Sequence, residues 1–166
     1  MKQKVHSKVF IILFIFVIGS NIYSQGINMT PKQECEELMN QIISFSEEML
    51  NKYGEFYPYG SVMNNDQSIR PVAYYDGNDQ PQSQDVINNL TKIYKEYAQK
   101  KEIRASAIIW NAKMKSPVTN EMIDVVIVSI EHKEKYSVQV VFPYTITNGK
   151  VSWGDVFAMK GLNNIF

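Results

Sequence analysis

Apolar residues along this chain follow three patterns: one unbroken run, two stretches at helical spacing, and several stretches that alternate as strands do. The run is Val9 to Ile18, ten apolar residues preceded by Lys2, Lys4 and Lys8 with no acid, and ended by Gly19, Ser20 and Asn21. A cationic start followed by a short greasy segment is the layout of a cleavable secretory signal. A membrane-spanning helix needs about 20 apolar residues, so the run is too short to cross a bilayer. Ser24 supplies a small residue at the cleavage position. The expected organisation is a signal peptide at 1–24, a flexible lead-in at 25–29 and a single domain at 30–166, with an uncleaved N-terminal anchor as the competing reading. Cys35 follows Lys32, Gln33 and Glu34 rather than small apolar residues, so it is not read as a lipid anchor.

The first helical stretch starts at Thr30-Pro31-Lys32-Gln33. Thr30 can cap the free amides, Pro31 suits the first helical position because its missing N–H costs nothing there, and Gln33 completes a capping box. Cys35, Leu38, Met39, Ile42, Ile43, Met49, Leu50 and Tyr53 then recur as one stripe, which predicts a helix to about Tyr53. Gly54 suits the left-handed residue that ends it. The second stretch carries Val86, Ile87, Leu90, Ile93, Tyr94 and Tyr97, with Ser83 as the expected cap and Lys100 and Lys101 at the negative pole.

Strands are expected at Phe56 to Met63 and Ile69 to Tyr75, joined by Asn64, Asn65 and Asp66 as a hairpin. Pro58 and Pro71 each delete a ladder donor, which places that hairpin at a sheet edge or bends it. Asp76 to Pro81 reads as a loop. Further strands are expected at Ile103 to Lys113, Met122 to His132 and Tyr136 to Tyr144, and a short one at about Val151 to Met159. Tyr136, Val138, Val140 and Phe142 alternate with Ser137 and Gln139, one dry face and one wet. In the strand before it, both faces are apolar, so it must be covered on both sides, by helices or in part by a partner chain. The fold class is therefore α+β: a mostly antiparallel sheet of five to six strands with two main helices, in the order α-β-β-α-β-β-β(-β). That order resembles profilin-like and roadblock-like domains and, more loosely, the α+β chaperones of secretion systems. Likeness at this level implies a fold and fixes no function.

Charge and cysteine content narrow the function classes. The formal balance of the whole chain is zero; removing Lys2, Lys4 and Lys8 with the signal makes the remainder mildly acidic. A chain without a basic cluster is poorly suited to nucleic acid or to an anionic membrane surface. No nucleic-acid partner and no stable membrane insertion after signal cleavage are expected. The single cysteine permits no internal disulfide, so packing must hold an exported domain together.

His132 is the one histidine outside the signal, and Cys35 lies on a helical core stripe, so no zinc ligand set is expected and no metal or cofactor is implied. His132, flanked by Glu131 and Lys133, reads as a solvated residue at the lip of a hairpin, with a pH-sensitive or binding role as the alternative. Asp76-Gly77-Asn78-Asp79 has a faint calcium-loop look but lacks the third oxygen ligand before the glycine and the glutamate at position twelve. Glu36-Glu37 and Glu47-Glu48 read as a wet helix face. The chain has no G-x-S-x-G, H-E-x-x-H, G-x-x-x-x-G-K or G-x-G-x-x-G pattern. The densest unusual segment is Gly54-Glu55-Phe56-Tyr57-Pro58-Tyr59-Gly60, whose rings either pack under the first helix or face a ligand or partner.

That block, followed in order by Pro71 to Ala73, Asp76-Gly77, Ile103-Arg104-Ala105, Glu131-His132 and Pro143-Tyr144, resembles a group of small bacterial proteins over roughly residues 45–158. The resemblance implies one intact domain and carries over no activity, cofactor or catalytic residue. The leading expectation is a non-enzymatic binding protein of the bacterial envelope or exterior, periplasmic or secreted, acting on another protein as an immunity-like protector or chaperone; a homodimer is allowed. The alternative is a small-ligand binder with an aromatic pocket between sheet and hairpin. Candidate binding residues are Phe56, Tyr57, Tyr59, Tyr74, Tyr75, Arg104, Glu131 and His132. An enzyme would need Glu131 or His132 facing a cleft beside Arg104.

Overall fold

The structure, a computed structural model, describes residues 29–75 and 77–166. The expected signal, most of the lead-in and Asp76 lie outside the described residues. Helix α1 spans Pro31–Tyr53 and begins as its sequence dictates. Gln33 N–H donates to Thr30 Oγ1 at 3.3 Å, and Thr30 N–H donates back to Gln33 Oε1 at 2.9 Å, closing the capping box. Gly54 closes the other end at φ +78°, a left-handed conformation that glycine adopts without steric cost.

Seven strands follow, interrupted by one helix: β1 (Tyr59–Asn64), β2 (Ile69–Val72), α2 (Ser83–Gln99), β3 (Ile103–Lys115), β4 (Met122–His132), β5 (Tyr136–Thr147), β6 (Lys150–Trp153) and β7 (Phe157–Lys160). They form one antiparallel sheet in the order β2-β1-β3-β4-β5-β6, with β7 also on β5. The α+β class and element order are those the sequence predicts. The sheet has one strand more than expected because the last stretch divides. Gly154 N–H turns to Pro143 O at 2.8 Å, and the chain resumes pairing only at Phe157, so β6 and β7 share one edge of β5 in succession.

Three local expectations are corrected. Pro58 precedes β1 instead of interrupting it, and β1 lies inside the sheet between β2 and β3; of this hairpin's two strands only β2, with Pro71, lies at a sheet edge. Ser83 is the first residue of α2, not its cap: Gln82 holds the cap position and makes no side-chain capping bond. The hairpin of β1 and β2 is also shorter than the alternation suggests, since pairing stops at Val72.

The sheet sorts its side chains into two cores. Helix α1 buries Glu34, Cys35, Leu38, Ile42, Ser46 and Leu50, against Ala105, Ala107 and Ile109 of β3 and Val126, Val128 and Ile130 of β4. The two alanines leave room for the helix to lie close to the sheet. Tyr136, Val138, Val140 and Phe142 join this core as the predicted dry face of β5. Edge strand β6 is tied to the helix by Val151 N–H donating to Asn51 Oδ1 at 2.8 Å and Trp153 Nε1–H donating to Glu47 Oε2 at 3.2 Å.

On the opposite face α2 sets Val86, Leu90 and Tyr94 against Val62 and Ile108. Gly60 is required here, because a Cβ at that position would collide with the Tyr94 hydroxyl and lie 2.5 Å from Ala107 O. Helix α2 lies over β1 and β3. Farther along, Val125, Ile127 and Val141 are buried beneath Trp110, Met114, Phe157 and Met159. Both faces of β4 are thus covered as its sequence requires, one by α1 and the other by large side chains of its own sheet.

Candidate functional site

Two places gather the candidate residues. The first lies where α1 begins. Glu34 sits one turn before Leu38 on the stripe that faces the sheet, so its carboxylate is carried inward and is 0 % exposed. Arg104 Nε approaches Glu34 Oε2 at 2.7 Å, out of line with its N–H, so the contact is an ion pair more than a linear hydrogen bond. His132 Nε2 meets the same oxygen at 2.8 Å, and Gln67 Nε2 donates to Oε1 at 3.1 Å. Glu134 N–H donates to His132 Nδ1 at 3.1 Å, so the ring's own proton belongs on Nε2, pointing at Glu34. Each partner satisfies the charge or lone pairs that burial would otherwise leave exposed to a low dielectric.

The expectation of a solvated hairpin histidine is therefore overturned. His132 is 1 % exposed, because it shares its face of β4 with Val126, Val128 and Ile130, all turned toward α1. Its neighbour Glu131 points to the other face and accepts Asn164 N–H at 3.0 Å on Oε1 and Ile165 N–H at 2.9 Å on Oε2. Ile165 thereby docks into the core under α2. Glu131 and His132 both border a hollow of about 350 Å³ with Tyr136, Lys133 and Phe166. Their polar atoms are already engaged, so what they do there is hold elements together. Arg104, His132 and Glu131 belong to this scaffold and not to the aromatic candidates.

The second place is a cleft of about 620 Å³ at the C-terminal half of α1. Phe45, Met49 and Tyr53 recur every fourth residue and form its helical wall; Phe56, Tyr57, Pro58 and Tyr59 form the wall opposite. Ala73 and Tyr74, just past β2, close one end, with Ser83 of α2 and Asn111 of β3 nearby. Tyr59 fixes the floor. Its hydroxyl donates to Ile42 O at 2.8 Å, and its ring meets Phe45 and Phe56 edge-on at centroid distances of 5.1 and 5.6 Å. Burial drives the Tyr59 phenol well above the usual tyrosine range, so it stays protonated as a donor. The rims are open: Tyr53 is 61 % exposed and Tyr57 51 %.

Comparison with protein-family models, with characterised proteins and with solved structures finds no match. The geometry of the chain itself must therefore carry the functional reading.

The cleft brings together Phe56, Tyr57, Tyr59 and Tyr74 of the expected set and leaves Tyr75 out; that ring is exposed, with its hydroxyl donating to Asp79 Oδ1 at 2.9 Å. The segment Phe56 to Tyr59 serves both of the roles its sequence allows. Phe56 and Tyr59 pack against the α1 core, while Tyr57 faces out. Met49 and Tyr53, expected on the single core stripe of α1, instead line the cleft with Phe45, on a second stripe beside the core one that the apolar pattern alone does not separate. A smaller cavity of about 290 Å³ continues past Phe45, Tyr59 and Ala73 toward Gln41 and Pro71, so the cleft extends along β2. Among the described residues no cluster of His, Cys, Asp and Glu is placed to hold a metal ion, and no helix is long and apolar enough to cross a membrane.

Proposed function

We propose that this is an exported, non-enzymatic binding protein that holds a small organic ligand in the aromatic cleft. The carrying observation is the cleft itself: about 620 Å³ of space, within the range of roughly 300–1,000 Å³ typical of ligand pockets, and walled by rings with a few polar groups. Tyr59 and Phe56 are locked by packing, so they offer a preformed surface whose ordering has already been met by folding. Tyr53 and Tyr57 keep the freedom to close over an occupant. Export rests on the cationic, short apolar start of the chain.

Binding of another protein by strand addition is the weaker reading. One free edge is β2, which has four residues and carries Pro71, and the opposite edge is split between β6 and β7, of four residues each; short, interrupted or proline-bearing edges are those that proteins guard against pairing. The cleft reading is tested by screening a mixed set of cyclic and branched small molecules by two-dimensional NMR with isotope-labelled tyrosine. Shifts confined to Tyr53, Tyr57, Tyr59 and Tyr74, and weakened at least tenfold by Tyr57→Ala, are expected. A screen in which no compound moves those resonances would overturn the reading.

A further inference from the structure

We infer that the cleft selects an organic cation, an alkylated ammonium or comparable group, which its rings and Glu55 hold together; this rests on the aromatic-cleft reading above. Among the described residues that line the cleft, Glu55 is the one charged side chain, and none is basic. An anionic ligand would face that carboxylate with no cation in the lining to pair it, Lys52 standing at the rim over Tyr53, and a neutral ligand would make no use of it.

The rings favour the same sign. An aromatic face is the negative end of a quadrupole and attracts ammonium groups, most strongly where several faces surround the charge and water is thinned out. Phe45 and Phe56 each lie edge-on to Tyr59, so the face of Tyr59 points in a different direction from theirs, as a cage requires. The chain already places one cation at the rim: Lys52 Nζ lies 4.9 Å from the centroid of Tyr53. The Glu55 carboxylate is also felt behind the cleft lining. Tyr144, near Asn111, has its phenol held above the usual range by burial first and then by the charges of Asp124 and Glu55. Lys113 answers Asp124 at 3.5 Å, whereas Glu55 has no ion pair among the described residues.

The experiment compares three probes of nearly equal shape at one ionic strength: choline, its uncharged carbon isostere 3,3-dimethyl-1-butanol, and the anion 3,3-dimethylbutanoate. Binding is followed on the tyrosine resonances of the full chain. Choline should bind at least tenfold tighter than the isostere. Glu55→Gln, at an exposed position that packing does not constrain, should remove most of that advantage while leaving isostere affinity within twofold. Tyr57→Leu should weaken choline more than the isostere, because it keeps apolar bulk and removes a ring face. Equal or tighter binding of the isostere or of the anion overturns the cation inference and leaves the aromatic-cleft reading standing. If no probe perturbs those tyrosines, the inference fails, and the screen described above then decides whether the cleft reading falls with it.

Discussion

Removing the Glu34 carboxylate is the most informative perturbation of the scaffold. In Glu34→Ala, Arg104 loses its counter-charge while its side chain stays only 19 % exposed, and His132 and Gln67 each lose a hydrogen-bond partner. Breaking a buried ion pair from one side costs about 3–5 kcal/mol. Arg104 retains a bond from Nη1 to Asn65 O at 3.3 Å and some contact with water, which favours the low end of that range. Each lost hydrogen bond adds about 1 kcal/mol. A total of about 5 kcal/mol should lower the urea midpoint by about 2.5 M for a slope of about 2 kcal/mol/M. The assay is equilibrium unfolding followed by the fluorescence of Trp110 and Trp153. A double-mutant cycle sharpens it: Arg104→Met alone strands the buried carboxylate, but Glu34→Leu with Arg104→Met replaces both charges by apolar bulk. The double variant should cost at least 1.5 kcal/mol less than the sum of its single variants. A Glu34→Ala cost below about 1 kcal/mol, the level of a surface pair, or strict additivity in the cycle, would refute the view that this carboxylate organises the start of α1.

Cys35 is held up to about 12 chiefly by burial and then by Glu34 and Glu36. Its raised value means that the unfolded chain gives up the thiol proton first, so stability is intact below about pH 8.5 and falls as pH rises toward 12. Urea midpoints measured from pH 8 to 11 should decline less in Cys35→Ala than in the parent, and a thiol reagent should modify native protein only as fast as it unfolds. Gly60→Ala should destabilise by about 1–3 kcal/mol, since Tyr94 and the β3 backbone leave no space for the methyl group; Tyr94→Phe should recover only part of this because Ala107 O stays in place. Glu131→Gln should loosen the C-terminal segment without unfolding the sheet, seen as faster amide exchange at Asn164 and Ile165.

Much of the fold was legible because local signals agreed. Thr30, Pro31, Gln33 and Gly54 fix both ends of α1 by chemistry confined to a few residues, and the two apolar faces of β4 place that strand at the centre. The buried polar cluster was not, because His132 and Glu34 are 98 residues apart in the chain. A glutamate in the first helical turn is also what the helix dipole favours in solvent, so burial and exposure look alike there. The available signal was spacing: Glu34, Leu38, Ile42, Ser46 and Leu50 recur every fourth residue, placing two polar side chains on an otherwise apolar line. The cleft was half visible. Tyr57, Tyr59 and Tyr74 stand out by composition, but nothing local marks Phe45, and Met49 and Tyr53 read as part of the core stripe until the chain brings the segment at Phe56 against them. The splitting of β6 from β7 depends on Gly154 reaching Pro143, a contact with no local signature.

The grip of Glu131 on Asn164 and Ile165 has a temporal consequence. During synthesis the chain emerges in order, and Glu131 is available well before the amides that satisfy it. Until those amides arrive, closing β4 against its neighbours would strand a carboxylate in a dry interior, so the penultimate stretch acts as a late latch. Nascent chains paused short of Asn164 should remain open to protease at the β4–β5 hairpin, and the sheet should close only once that last segment is free to fold back.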